Sequence, residues 1–81
     1  MPYFTYILKS QKNKDIYIGS CENVSTRLIR HNSRKVKSTK GYVPWDLLEY
    51  REFNTRSEAV KYERFLKTHQ QKDIIKKKYN K

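Results

Sequence analysis

Two short segments of alternating character, separated by a polar stretch, constrain this chain more than anything else in it. From Tyr3 to Leu8 the residues are aromatic and β-branched, and strand alternation puts Phe4, Tyr6 and Leu8 on one side. Lys9 to Lys14 holds no apolar residue and carries Asn13, a favoured turn former, so it predicts a hairpin loop. Asp15-Ile16-Tyr17-Ile18-Gly19 then resumes the alternation, with Ile16 and Ile18 on one face and Tyr17 on the other. The prediction is an antiparallel hairpin at the start of the chain.

Downstream, Asn23 is placed to cap a short helix through Val24, Arg27, Leu28 and His31, ending near Asn32-Ser33. Arg34 to Tyr42 is basic and polar, and Gly41 and Pro44 mark it as loop. Trp45 to Phe53, with Leu47, Leu48 and Tyr50 between, reads as a third strand. Thr55-Arg56-Ser57-Glu58 fits a capping box opening a longer helix from about Arg56 to about His69. The tail from Gln70 to Lys81 sets Ile74, Ile75 and Tyr79 among lysines, which predicts a short terminal helix docking its isoleucines. Anchoring this tail on a membrane surface would need more apolar area than two isoleucines supply.

At 81 residues the chain is expected to form one domain, with a limited core. It is 36% hydrophobic and has no apolar run long enough to span a bilayer, and its start does not read as a signal peptide. Cys21 is the only cysteine, which rules out an internal disulfide and a thiolate zinc site and predicts a reducing, cytoplasmic setting. A reactive role for that thiol would require an electropositive, His-paired pocket beside Arg27 and His31. Nineteen Lys and Arg against eight Asp and Glu give a formal charge of +11. Self-repulsion of that size destabilises a small fold, so a polyanionic partner, nucleic acid first, is its economical explanation.

Five residues carry the candidate chemistry. Glu63 falls inside the helical stripe of Ala59, Tyr62 and Leu66, where a carboxylate costs several kcal/mol unless it is paired or binds a cation. An ion pair with Lys or Arg is one solution; a single carboxylate holding Mg²⁺ (or Mn²⁺) together with waters and substrate oxygens is the other. Arg27 and His31 share a helical face bordering Val24 and Leu28, so a guanidinium fit for bidentate phosphate binding sits at the core margin. A salt bridge, even to Glu63, would also explain Arg27. Tyr6 and Tyr17 are strand residues whose phenols, with an ordinary pKa of about 10, are poor bases unless a neighbour takes or stabilises their proton.

As a set these residues carry a resemblance. Phe4-Thr5-Tyr6, then Tyr17-Ile18-Gly19, then Arg27-Leu28-Ile29-Arg30-His31-Asn32 and a later helical Glu63 resemble the GIY-YIG nuclease domain. More narrowly they resemble small stand-alone bacterial members related to the N-terminal domain of the excision-repair subunit UvrC. Pro44-Trp45-Asp46-Leu47-Leu48-Glu49-Tyr50 and the stretches Ser57-Glu58-Ala59 and Glu63-Arg64-Phe65-Leu66-Lys67 extend the likeness, which covers about residues 3 to 67.

The resemblance implies an α+β fold over residues 1–81, a three-stranded antiparallel sheet flanked by helices, that hydrolyses DNA phosphodiesters with one divalent metal. By that likeness Tyr6 is the general base, Tyr17 orients water or phosphate, Arg27 stabilises the transition state, His31 assists proton transfer and Glu63 holds the metal. Arg30, Arg34, Lys35, Lys37, Lys40, Tyr42 and Trp45 are expected to contact DNA, including branched or structured forms, with the aromatics stacking on bases. The basic surface alone would equally serve a nucleic-acid-binding module without cleavage. Phe4-Thr5 departs from the Gly-Ile of the first motif, a change expected to bear on packing. Asn80 is the only late asparagine and sits too near the terminus to stand in for the site asparagine of larger members.

Overall fold

Ser10 closes the first hairpin. Its N–H donates to the Asp15 carbonyl (2.9 Å), its carbonyl accepts from Lys14 N–H (2.9 Å), and its hydroxyl oxygen accepts from the N–H groups of Lys12 and Asn13. The strands on either side run longer than alternation alone predicts. In the computed structural model, which describes residues 2–79, β1 spans Tyr3–Ser10 and β2 spans Ile16–Cys21. They are followed by α1 (Val24–Asn32), a single 3₁₀ turn (Lys40–Tyr42), β3 (Trp45–Phe53), α2 (Arg56–Leu66) and α3 (His69–Tyr79). The strand order is β2-β1-β3, all antiparallel, an α+β fold with β2 at one edge. Asn80 and Lys81 of the basic tail lie outside the described residues.

Strand alternation divides the core between the two faces of the sheet. Ile7, Ile16 and Ile18 pack with Leu66 of α2 and Ile75 of α3 on one face. Tyr6, Leu8, Cys21 and Trp45 pack with Val24 and Leu28 of α1 on the other. The replacement of Gly-Ile by Phe4-Thr5 is absorbed in this packing. Thr5 is buried and its hydroxyl donates to the Ala59 carbonyl at 2.7 Å, tying β1 to α2, while Phe4 meets Tyr50 edge-on at 6.0 Å.

The helix caps are largely those expected. Asn23 Oδ1 accepts from Thr26 N–H (2.9 Å), and Thr55 Oγ1 accepts from Glu58 N–H (3.2 Å). The second helix, however, ends at Leu66 and not near His69. The Thr68 hydroxyl donates to the Phe65 carbonyl (2.9 Å), a local bond that competes with helix continuation, and a new helix starts at His69. Of the two tail isoleucines only Ile75 docks, and Ile74 is exposed. Tyr79 supplies the rest of the anchor: its hydroxyl donates to Glu49 and its carbonyl accepts from Lys9 Nζ (2.7 Å). No helix among the described residues is long and apolar enough to cross a membrane.

At the C-terminus of α1, Arg34 takes φ of 63°, its N–H donates to the His31 carbonyl (3.2 Å) and Lys35 N–H donates to the Arg30 carbonyl (3.3 Å). This is a Schellman cap with arginine where glycine is the usual residue. Arg34→Gly should therefore raise stability in urea by up to about 1 kcal/mol.

Candidate active site

The site begins where Tyr6 leaves β1. Its cross-strand partner is Gly19, and a Cβ built there would lie 2.6 Å from the Tyr6 hydroxyl and 2.8 Å from Cζ. Glycine is thus the residue that lets the phenol lie flat across β2 toward the sheet edge. On the α1 side, His31 is 1% exposed and has both ring nitrogens bonded, Nε2 to the Tyr6 hydroxyl at 3.0 Å and Nδ1 to Thr39 Oγ1 at 2.8 Å.

The direction of these bonds follows from counting protons. The Thr39 hydroxyl has the Val36 carbonyl as an acceptor at 3.4 Å, so its oxygen is free to accept from Nδ1–H. Nε2 then carries a lone pair, which accepts the Tyr6 phenol proton. In this order every proton of the buried pair has an acceptor. Burial first, and then the charges of Arg27 and Arg30, hold the His31 pKa below its ordinary value, so the imidazole is neutral near pH 7. Burial also pushes the Tyr6 phenol far above its ordinary range, reinforced by Tyr17 and Glu63 and opposed by Arg27.

The remaining members surround this pair. The Tyr17 ring is half-buried, 4.9 Å from the His31 ring and 6.3 Å from that of Tyr6. Arg27, half-buried on α1, is near enough for its charge to act on Tyr6, His31 and Cys21 at once. Glu63 comes from α2, the layer on the other side of the sheet, yet its charge also reaches the Tyr6 phenol. Its side chain is 18% exposed and its Oε2 accepts from Lys67 Nζ at 2.7 Å, so of the two pairings expected for it the structure shows the lysine and not Arg27.

One expectation changes, and two readings are sharpened. Trp45 is 4% exposed and its indole N–H donates to the Thr39 carbonyl (3.0 Å). It therefore walls the site, 6.1 Å from Tyr17, and cannot stack on a DNA base. His31 has no solvent face, so any proton it takes must come through Tyr6. Cys21 is buried, and desolvation raises its thiol pKa despite Arg27, which removes it as a nucleophile. The rest of the expected DNA contacts, Arg30, Arg34, Lys35, Lys37, Lys40 and Tyr42, are all exposed, running from α1 through the loop that follows it.

Two residues that sequence reading passed over complete the frame. Thr39 fixes the imidazole, and nothing in the local sequence distinguishes it from a loop threonine. Asn32 bonds the backbone of Trp45 with both ends of its amide, accepting from N–H at 2.6 Å and donating to the carbonyl at 3.0 Å. Its position directly after His31 was the available signal.

With the geometry in place, comparison with known proteins is direct. A family model described as the GIY-YIG catalytic domain matches residues 2–80. The chain belongs to the GIY-YIG family. A UPF0213 protein of Staphylococcus epidermidis is 35% identical over 75 residues, covering 91% of this chain and 90% of that one. UPF0213 protein YsiG of Lactococcus lactis is 36% identical over 87 residues, covering 95% and 83%. The solution NMR structure of a UPF0213 protein from Bacillus halodurans superposes with a TM-score of 0.57 at 27% identity, covering 98% of this chain and 86% of that one. GIY-YIG domains are a nuclease family that acts on DNA and generally depends on a divalent metal.

Gly19→Ala should force the Tyr6 ring off β2 and cost about 1–3 kcal/mol in urea unfolding, the range for overpacking a core. The His31 imidazole resonances should shift with it. Asn32→Ala, which leaves two backbone groups of Trp45 to water, should cost about 1–2 kcal/mol and make Trp45 fluorescence more accessible to quenchers.

Proposed function

We propose that this chain is a divalent-metal-dependent endonuclease that hydrolyses DNA phosphodiester bonds. The observation that carries the reading is the ordered chain from Tyr6 through His31 to Thr39, with Tyr17 beside both rings and the charges of Arg27 and Glu63 acting on the phenol. A phenol this far above its ordinary pKa is a poor base if it must become a phenolate. It does not need to. Its oxygen takes a proton from the attacking water while its own proton passes to His31 Nε2, so Tyr6 stays neutral throughout. The hydroxide so formed attacks phosphorus and the bond to the leaving oxygen breaks. His31 is left as imidazolium, with Nδ1–H still donating to Thr39.

Arg27 serves this step twice. Its guanidinium is placed to accept a phosphate and stabilise the charge gathering on the transferring group. In the free protein its field adds to burial, the larger effect, in holding the His31 pKa down; a bound phosphate would offset that field and make the imidazole a better proton acceptor. Tyr17, half-buried beside both rings, orients the water or the phosphate.

Among the described residues no three acidic, histidine or cysteine side chains gather as a ready-made metal cage. The donor set fits a hard cation that takes one carboxylate and fills the rest of its shell with water and phosphate oxygens, as Mg²⁺ and Mn²⁺ do. Glu63 is the residue that would hold it. When bound, such an ion neutralises phosphate charge and stabilises the leaving oxygen. Lys67, an exposed partner one helical turn away, is of a kind that gives up its ion pair at little cost.

The test compares wild type with Glu63→Ala on labelled duplex, single-stranded, flap and branched DNA, with and without Mg²⁺ or Mn²⁺. Cleavage by wild type should need the metal and fall about 100-fold or more in the variant. Cleavage that persists unchanged in Glu63→Ala would sink the metal assignment, and salt-sensitive binding by both without cleavage would support a binding module. Because His31 must be neutral to accept the proton, single-turnover rates should hold steady around pH 7 and fall on the acid side of pH 6.5 as the lowered pKa is crossed. The same group makes stability fall with acidification: the unfolded imidazole binds a proton first, so stability is complete above about pH 6.5 and lost below it. His31→Gln should flatten that loss in urea titrations at each pH.

A further inference from the structure

Away from the site, α2 and the end of β3 expose a group of aromatic rings that the proposed chemistry does not use. Tyr62 and Phe65 lie one turn apart on α2 with their rings stacked, centroids 6.1 Å apart and planes at 27°. Phe53 meets Tyr62 at 5.4 Å. The guanidinium of Arg51 sits over both Tyr62 (5.1 Å) and Phe53 (5.6 Å). Together with Lys61 and Glu58 the three rings line a shallow depression of about 410 Å³. Phe65 is 51% exposed. Two positions along an α-helix are about 200° of rotation, so Phe65 looks away from the side that carries Glu63.

Folding does not explain Phe65. A helix that buries Ala59 and Leu66 gains nothing from a phenyl ring held half in water, and exposed aromatic patches of this kind mark binding surfaces. We infer that this patch is a stacking platform for the unpaired bases of single-stranded DNA. The charge around it selects that occupant. An apolar protein partner would call for the apolar stripe to continue, but the rings are flanked by Arg51 and Lys61, with Arg64 beside Lys61 on the adjoining depression and Glu58 as the acidic residue lining the patch. Flat rings interleaved with cations suit a strand whose bases stack while its phosphates meet Arg and Lys. Stacking of this kind tolerates any base, since every base has a π face.

The platform rests on the nucleic-acid part of the nuclease reading and not on its chemistry, so the two fail separately. Fluorescence anisotropy in EDTA, which prevents cleavage, measures binding of a labelled oligo(dT) of about 15 nucleotides, near the upper site size for small single-strand binders. An abasic strand of equal length and charge is the control. Phe65→Ala should weaken oligo(dT) binding about 5-fold or more and leave the abasic strand unaffected, while Phe65→Trp should bind oligo(dT) at least as well as wild type. Because Phe65 is half in solvent, neither variant should lose thermal stability beyond a few degrees. Equal affinity of wild type and Phe65→Ala for oligo(dT) would overturn the platform and leave metal-dependent cleavage untouched. So would an equal loss on both strands. Self-association in sedimentation that Phe65→Ala abolishes would overturn it in favour of an interface between copies.

Discussion

A buried imidazole needs partners for both of its nitrogens, and meeting that need organises the whole α1 side of this protein. His31 brings Tyr6 from β1 and Thr39 from the loop to one point. Thr39 in turn receives the indole of Trp45 on its carbonyl, and the backbone of Trp45 is gripped by the amide of Asn32, the residue beside His31. The path closes on itself through α1, the loop and β3. Because all of these groups are satisfied, no buried polar side chain among the described residues lacks a partner. The proton chain and the core of this face are the same set of atoms. That sharing has a consequence for mutational work. On the proposed reading, a change at a residue such as Thr39 disturbs stability and rate together, because both run through His31.

Charge is handled in the opposite manner. Carboxylates are few against nineteen cations, and those present are placed to act locally: Glu49 holds the end of α3, and Glu63 sits at the site paired with Lys67. The uncompensated positive charge is left on the surface, from Arg30 along the loop to Lys40 and again along α2. Arg34 shows how far this goes, since it adopts a left-handed conformation in a cap that glycine would fill without strain. Strain and self-repulsion of this kind are tolerated in a small fold when the surface they create meets a polyanion.

Much of this was legible from the sequence because it depends on local rules. Alternation located all three strands, Asn23 and Thr55 announced their helices, and the misfit of Glu63 in an apolar stripe announced a paired carboxylate, which the structure supplies with Lys67. What could not be read depends on contacts between distant segments. Trp45 looked like a base-stacking residue because it follows a basic loop; only the fold shows its indole turned inward onto Thr39. At the early end of α2 the Thr68 hydroxyl reaches a carbonyl three residues back, a local contact that alternation and capping rules do not announce. Phe65 looked like part of a family-like helix segment, and its exposure became a question only once Phe53 and Arg51 were beside it.

The placement of the site at a sheet edge resolves a difficulty in the architecture. Tyr6, Tyr17, Arg27 and His31 belong to the α1 layer, whereas Glu63 stands on α2 in the layer beneath, and an extended sheet between them would keep the carboxylate and the phenol apart. Two features open the edge between them. β2 is the outer strand, so no further strand closes that side, and Gly19 removes the side chain that would block Tyr6 from crossing it. A phosphate approaching this edge can meet groups from both layers without entering the core. On the proposed reading, that is how a chain too small for a deep cleft would surround a reacting phosphorus: the rim of its sheet serves as the floor, and each helical layer supplies one half of the charge.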